Sequence, residues 1–172
     1  MKIVLMGYMG SGKSYYAQLL AKELGFKYLD LDIEIEKKAG KSISAIFSSR
    51  GEIFFRKLEH QMLEELLKTQ DNFVLALGGG TPCYGNNLEL IVNTPNLKSI
   101  YLKRDLSYLL NILWEEKNKR PMIAHLNKIE DLEDFIRKHL FERQYYYRQA
   151  HVSLNPTKDA NETLNAIRQL LH

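Results

Sequence analysis

Cysteine is almost missing from this chain of 172 residues. Cys83 stands alone, which excludes an intrachain disulfide and any metal site built on several thiolates. No apolar run approaches the roughly 18 residues of a membrane-crossing helix. No charged-then-apolar leader precedes the first strand-like run, so a cytoplasmic location is expected. A large excess of one charge is absent too. The 24 basic and 21 acidic residues leave a net charge of +3, too little to argue for nucleic acid or a membrane surface as a partner, yet compatible with a site that holds anions. Internal repeats, low-complexity tracts and long linkers are lacking. The five histidines (His60, His125, His139, His151 and His172) are scattered without metal-ligand spacing and read as solvated or structural. What remains is 45% apolar and 26% charged, the composition of one globular domain with a real core.

The most informative stretch is Gly7-Tyr8-Met9-Gly10-Ser11-Gly12-Lys13-Ser14, a complete G-x-x-x-x-G-K-[ST] loop. The apolar run Ile3–Met6 precedes it, and Tyr16, Leu19, Leu20 and Leu24 follow at helical spacing. Strand, glycine loop and helix together are the context of a phosphate-binding P-loop. Glycines let backbone N–H groups converge on phosphate oxygens, and the helix N-terminus adds its partial positive charge. Lys13 reaches the β- and γ-phosphates, and the Ser14 hydroxyl can ligate Mg²⁺. Lys13 is expected to be exposed, with no core around it to disturb.

Five strand-like runs are visible: Ile3–Met6, Phe26–Leu29, Phe73–Leu77, Ser99–Leu102 and Val152–Leu154. Helical stripes lie between them, at Glu52–Lys68, around Leu106–Leu113, around Leu132–Leu140 and at Leu164–Leu171. Alternation of the two predicts a three-layer α/β fold on a parallel sheet. Lys117–Lys128 stands apart. It carries Lys117, Lys119, Arg120 and Lys128, Pro121 and two asparagines, and no acid. This is the composition of a mobile lid that closes on phosphate, or of a solvated basic loop.

Four further features bear on chemistry. Asp30-Leu31-Asp32 ends the second predicted strand, where alternation would turn both carboxylates to one side, one for Mg²⁺ and one for a substrate hydroxyl. A helix N-cap with a surface acid is the other reading. Gly51-Glu52-x-x-Phe55-Arg56-x-x-Glu59 opens a helix on which Arg56 is either part of an exposed ion-pair ladder or aimed at a carboxylate and held by Glu59. Gly78-Gly79-Gly80 follows a strand and permits close approach of a ligand, or is a flexible turn. Glu142-Arg143 precedes Tyr145-Tyr146-Tyr147, a run that reads as packing.

In this order, over essentially the whole chain, the P-loop, the acid pair, Gly-Glu-x-x-Phe-Arg-x-x-Glu, the triple glycine, Arg120-Pro121 and Glu-Arg-x-x-Tyr-Tyr resemble the shikimate kinase family of aromatic amino-acid biosynthesis. The resemblance implies a P-loop kinase fold with a five-stranded parallel sheet, a substrate-binding helical segment at about 33–61 and a lid at about 117–128, all within one domain of 1–172. It implies transfer of phosphate from ATP to the 3-hydroxyl of shikimate, giving shikimate 3-phosphate and ADP, by a monomer that needs Mg²⁺. Gly10, Ser11, Gly12, Lys13, Ser14, Tyr15, Arg120 and Lys158 would then face ATP. Ser14 and Asp30 would serve the metal. Asp32, Arg56, Arg143 and the backbone of Gly78, Gly79 and Gly80 would hold shikimate, with Phe47 and Phe55 lining its pocket. Lys13, Asp32 and Arg120 would be catalytic, Asp32 as the base.

Tyr15 stands where the family usually has threonine, and Thr81-Pro82-Cys83 replaces a commoner small apolar pair. Asn155-Pro156-Thr157-Lys158 lacks the arginine often found near adenine, which leaves Lys158 as a weak substitute. A gluconate-type kinase would share the P-loop and lid but need not carry both carboxylate-binding arginines. A GTPase-like switch would show Asn-Lys-x-Asp, and neither Asn118-Lys119 nor Asn127-Lys128 is completed by an aspartate.

Overall fold

The computed structural model describes residues 1–171; His172 lies outside the described residues. Its centre is a five-stranded, all-parallel sheet with order β2-β3-β1-β4-β5. The strands are β1 (Lys2–Met6), β2 (Lys27–Asp30), β3 (Phe73–Ala76), β4 (Leu97–Leu102) and β5 (Val152–Leu154). The helices are α1 (Lys13–Leu24), α2 (Leu31–Ala39), α3 (Ile43–Lys68), α4 (Asn87–Asn93), α5 (Leu106–Glu116), α6 (Ile129–Tyr147) and α7 (Ala160–Leu171).

Strand alternation divides the core into two halves. Val4 and Met6 of β1, with Phe73 and Leu75 of β3, face the layer that includes α3, α5 and α6. Ile3 and Leu5, with Val74 and Ala76, face α1 and α7. Both faces of the central strands are therefore dry, which is why their sequences read as continuous apolar runs. All five expected strands are present, with ends shifted by one or two residues. Phe26 lies outside β2, while Asp30 closes it; β4 starts two residues early, at Leu97.

Three elements were not foreseen in this form. The acid pair does not lie on an extended segment. Asp30 is both the last strand residue and the N-cap of α2, its side chain accepting from the backbone N–H groups of Asp32 and Ile33. Asp32 is already helical, because the cap turns the chain at once. Helix α3 starts at Ile43 and bends at Gly51, whose backbone (φ 79°, ψ 174°) is a region open cheaply to glycine alone. The bend separates a short first half from the stretch that carries Arg56. Finally, α4 follows a 3₁₀ turn at Thr81–Cys83 directly after the triple glycine.

The basic segment is compact rather than extended. A 3₁₀ turn at Lys117–Lys119 leads into further turns closed by Ile123 and Ala124 donating to the Arg120 carbonyl, and Ile123 is fully buried. Ile123, with the partly buried Leu126, anchors this basic loop to the core.

Leu63 of α3 is fully buried in that core, whereas Ile53 of the same helix is 89% exposed. Leu63→Ala is expected to destabilise the protein by about 2–5 kcal/mol in urea unfolding. Ile53→Ala should stay within about 0.5 kcal/mol of the parent. Similar values for the two would contradict this packing of α3.

Candidate active site

Because every strand runs the same way, all five carboxyl ends open on one edge, the position where open α/β sheets bind ligands. A single cavity of about 1030 Å³ lies there, and residues following each strand line it. They include Gly10 and Gly12–Ser14 after β1, Asp30 and Asp32 at β2, Gly78 and Gly79 after β3, Arg104 after β4 and Pro156–Lys158 after β5. Tyr15 and Arg120 line it as well. Ser11, Gly80, Arg56 and Arg143 do not.

The glycine loop closes onto the start of α1, with Gly12 as a left-handed N-cap. Lys13 departs from its expected exposure. It is 9% exposed, and its Nζ donates to the carbonyls of Gly7 (3.0 Å) and Tyr8 (2.9 Å). Burial lowers its pKa to about 8, against the pull of Asp32. Ser14 Oγ donates to Asp30 Oδ2 at 2.7 Å, so the hydroxyl and carboxylate expected beside Mg²⁺ are already adjacent. The pair fits an ion that arrives with phosphates and keeps several waters, since Mg²⁺ takes one or two protein ligands in such sites. Among the described residues, no group of three or more His, Cys, Asp or Glu side chains is placed to hold a metal by itself. Ser11 Oγ is the one buried side-chain polar atom without a partner among the described residues.

Asp32 lies behind the glycines: a Cβ on Gly78 would come within 3.0 Å of its Oδ1. Burial raises its pKa to about 6. Asp30 and Glu59 add to the rise, and Lys13 opposes it. The carboxyl is therefore poised close to neutrality, where a proton acceptor works best.

Arg56 sits beside the cavity, not in its wall. Nη1 donates to Glu59 Oε1 at 2.9 Å, and the guanidinium lies 3.7 Å from the Tyr84 ring centre. Glu59 is 1% exposed, so this pair is not the solvated ladder that the spacing alone allowed. Burial works against the arginine charge, but Glu59, with Tyr84 and Glu52, outweighs it and the net direction is up. A Cβ on Gly80 would fall 2.9 Å from Arg56 Nη2, so a side chain there would push the guanidinium aside. Phe47 and Phe55 stack beside it at 4.7 Å. Arg143 enters from α6. Its charge opposes the rise that burial imposes on Tyr8, Tyr147 and Cys83. Arg56 acts on Cys83 too, so both arginines reach the same neighbourhood. Arg120 is held by Glu116, Nη2 to Oε2 at 2.5 Å.

Sequence reasoning missed Arg104 and Tyr108. Arg104 Nη1 donates to the Pro156 carbonyl at 2.8 Å, Nε reaches the Ser11 carbonyl at 3.5 Å, and the guanidinium lies over the Tyr108 ring at 4.1 Å. It ties the P-loop to the loop after β5. The signal available was a basic pair, Lys103-Arg104, at a strand's carboxyl end. The half-buried histidines are structural: His60 meets Asn87, and His139 Nδ1 lies 2.8 Å from Tyr8 Oη; the exposed His151 turns its Nδ1 to Ser99. Of the tyrosine run, Tyr147 is the one that packs fully, against Tyr101, and it donates to the Gly79 carbonyl at 2.6 Å, whereas Tyr145 is largely exposed. No helix among the described residues is long and apolar enough to cross a membrane.

The sequence model of the shikimate kinase family matches residues 9–172. The shikimate kinase of Flavobacterium johnsoniae is 48% identical over 171 residues, covering 99% of this chain and 98% of its own. Among solved structures, the shikimate kinase of Bacteroides thetaiotaomicron superposes with a TM-score of 0.90 at 32% identity, covering 99% and 98% of the two chains. That of Acinetobacter baumannii, solved in complex with shikimate, gives 0.84 at 34%, covering 99% and 92%.

One pH effect follows from Asp32. Between its ordinary value of 3.8 and about 6, the folded protein keeps a proton that the unfolded chain releases. Stability therefore falls as pH rises through that window and stays lowered above it. Asp32→Asn removes the charge, so it should be more stable than the parent at pH 8, by on the order of 1–2 kcal/mol after allowance for solvent screening. The gap should close near pH 4. Urea unfolding at the two pH values checks this; a parent at least as stable as the variant at pH 8 would contradict it.

Proposed function

The chain belongs to the shikimate kinase family, and we infer that it transfers the γ-phosphoryl group of ATP to the 3-hydroxyl of shikimate, giving shikimate 3-phosphate and ADP, a step of aromatic amino-acid biosynthesis. The observation that carries this reading is the meeting of Lys13, the Ser14–Asp30 pair and Asp32 beside the triple glycine, in one cavity at the ends of the strands. A phosphate site and a candidate proton acceptor share one space.

In this reading the phosphates of ATP lie over Gly10–Ser14. Lys13 exchanges its two carbonyl contacts for phosphate oxygens and carries charge toward the transferring group. Burial in the loop makes its charge costly, so an anion there relieves it. The base lies toward Arg104, Tyr108 and Pro156, with Lys158 at the rim. Mg²⁺, held by Ser14 and Asp30 with the phosphates, would offset charge on the nucleotide. Shikimate lies beyond the triple glycine, its carboxylate on Arg56 and Arg143. Asp32, raised toward neutrality by its dry surroundings, orients the hydroxyl and accepts its proton. Arg120 turns from Glu116 onto the transferring phosphoryl as Lys117–Lys128 closes and excludes water. The rest is positioning and electrostatics, since phosphoryl transfer asks little covalent work of a protein. A monomer in the cytoplasm is part of the same proposal.

A coupled assay of ADP release with ATP, Mg²⁺ and shikimate is the direct test. Turnover that depends on shikimate is expected, and Lys13→Ala should reduce it about a thousandfold or more while the circular dichroism spectrum is kept. A parent protein that releases no ADP with shikimate would overturn the assignment.

Arg56→Ala and Arg143→Ala should each weaken shikimate binding about ten- to a hundredfold, the worth of one charge-assisted contact, and leave ATP binding within about twofold. Separate titrations of the two ligands decide this. Equal losses for both ligands would make the arginines structural.

A further inference from the structure

Arg56 has a long, flexible side chain, and a carboxylate-binding guanidinium is useful only if held in one orientation. Among the contacts that restrain it are the Glu59 carboxylate, the Tyr84 ring and the close face of Gly80, with the exposed Glu52 carboxylate a longer contact at 3.4 Å. Tyr84 and Gly80 belong to the segment that follows β3, and the two carboxylates belong to α3. One residue joins the two sides. Thr81 Oγ1 donates to Glu59 Oε2 at 2.7 Å, while Glu59 Oε1 takes Arg56. Thr81 is 0% and Glu59 1% exposed, so water cannot stand in for either partner. Thr81 is itself pinned. Its N–H donates to the Gly78 carbonyl at 3.1 Å, and its own carbonyl accepts from Asn87 Nδ2 at 2.9 Å. Asn87 is 1% exposed, and its Oδ1 meets His60 Nδ1 at 2.7 Å. A buried polar chain thus runs from α3 through α4 and the turn at Thr81 back to α3, and it ends on Arg56.

We propose that Thr81 is a positioning residue for substrate selection: through Glu59 it fixes the Arg56 guanidinium in the orientation that binds the shikimate carboxylate, without touching the substrate itself. This rests on the proposed function, which sets Arg56 against that carboxylate. Without the Thr81 hydroxyl, one buried oxygen of Glu59 loses its donor, and such an oxygen seeks another. Arg56 already donates to the other oxygen of this carboxylate, so the guanidinium would be drawn round toward Glu59 and away from the substrate. The segment carrying Gly80 and Tyr84 would also lose its tie to α3. Ground-state and transition-state binding of shikimate should weaken together, which raises KM and spares kcat.

Thr81→Val keeps the shape and removes the hydroxyl; Thr81→Ser keeps the hydroxyl. Calorimetric titration with shikimate should show Kd raised about tenfold or more in the valine variant. KM for shikimate should rise in parallel, with kcat within about threefold and KM for ATP within about twofold. The serine variant should recover most of the loss. If the valine variant melts below the assay temperature, Thr81→Ala against Thr81→Ser makes the same comparison. Unchanged shikimate affinity in the valine or alanine variant, failure of serine to restore it, or equal losses for ATP and shikimate would overturn the role of Thr81. A parent protein that binds no shikimate would overturn the proposed function and this role with it, whereas a parent that binds shikimate while the valine variant binds it equally well would overturn this role alone.

Discussion

Parallel strand direction is the constraint from which the chemistry of this protein descends. With five strands aligned, the loops that leave them are gathered at one edge, and the cavity there is lined from all five. Residues as far apart in sequence as Lys13, Asp32, Gly79, Arg104 and Lys158 become neighbours for no reason local to any of them. Burial of both sheet faces, by α1 and α7 on one side and α3, α5 and α6 on the other, makes that edge rigid. A rigid edge holds catalytic groups in place when there is no ligand to organise them.

Charge is the second theme. Lys13, Asp30, Asp32, Glu59, Arg56 and Arg143 lie close enough to perturb one another, and most are half-buried or buried. Burial moves Lys13 and Asp32 in opposite directions, one down to about 8 and the other up to about 6, each toward its neutral form. Burial therefore places an electrostatic cost on the site, and anionic phosphate beside Lys13 would relieve part of it. Strain of this kind is common where binding and catalysis are built, and the apolar core offsets it.

Individual elements differ in how readable they were. The P-loop was complete in eight consecutive residues, because a phosphate cradle is built from local backbone geometry. The strands β1 and β3 were readable because complete burial leaves an unbroken apolar run. Both carboxylates of the acid pair line the cavity, but not by the geometry that the sequence suggests. Strand alternation does not apply there: the Asp30 cap turns the chain into α2, and the helix brings Asp32 to the cavity. Lys13 was expected in the open, although the loop wraps it with its own carbonyls. Arg104 and Tyr108 went unnoticed, since nothing in a basic residue after a strand tells which loop it will bridge.

By itself, the sequence determined what depends on neighbours along the chain: the strand and helix periods, the phosphate loop, the glycines after β3 and the ordered series of motifs shared with a kinase family. Tertiary structure decided what depends on neighbours across the chain. It decided that Glu59 is buried and so holds Arg56 firmly, and that Thr81 reaches Glu59's second oxygen. It decided also that Ile123 anchors the basic segment and that Asp32 is dry enough to titrate near neutrality. The reason is physical. Hydrogen bonds, desolvation and charge coupling act over a few ångströms of space, and only the packed fold says which side chains lie within that distance.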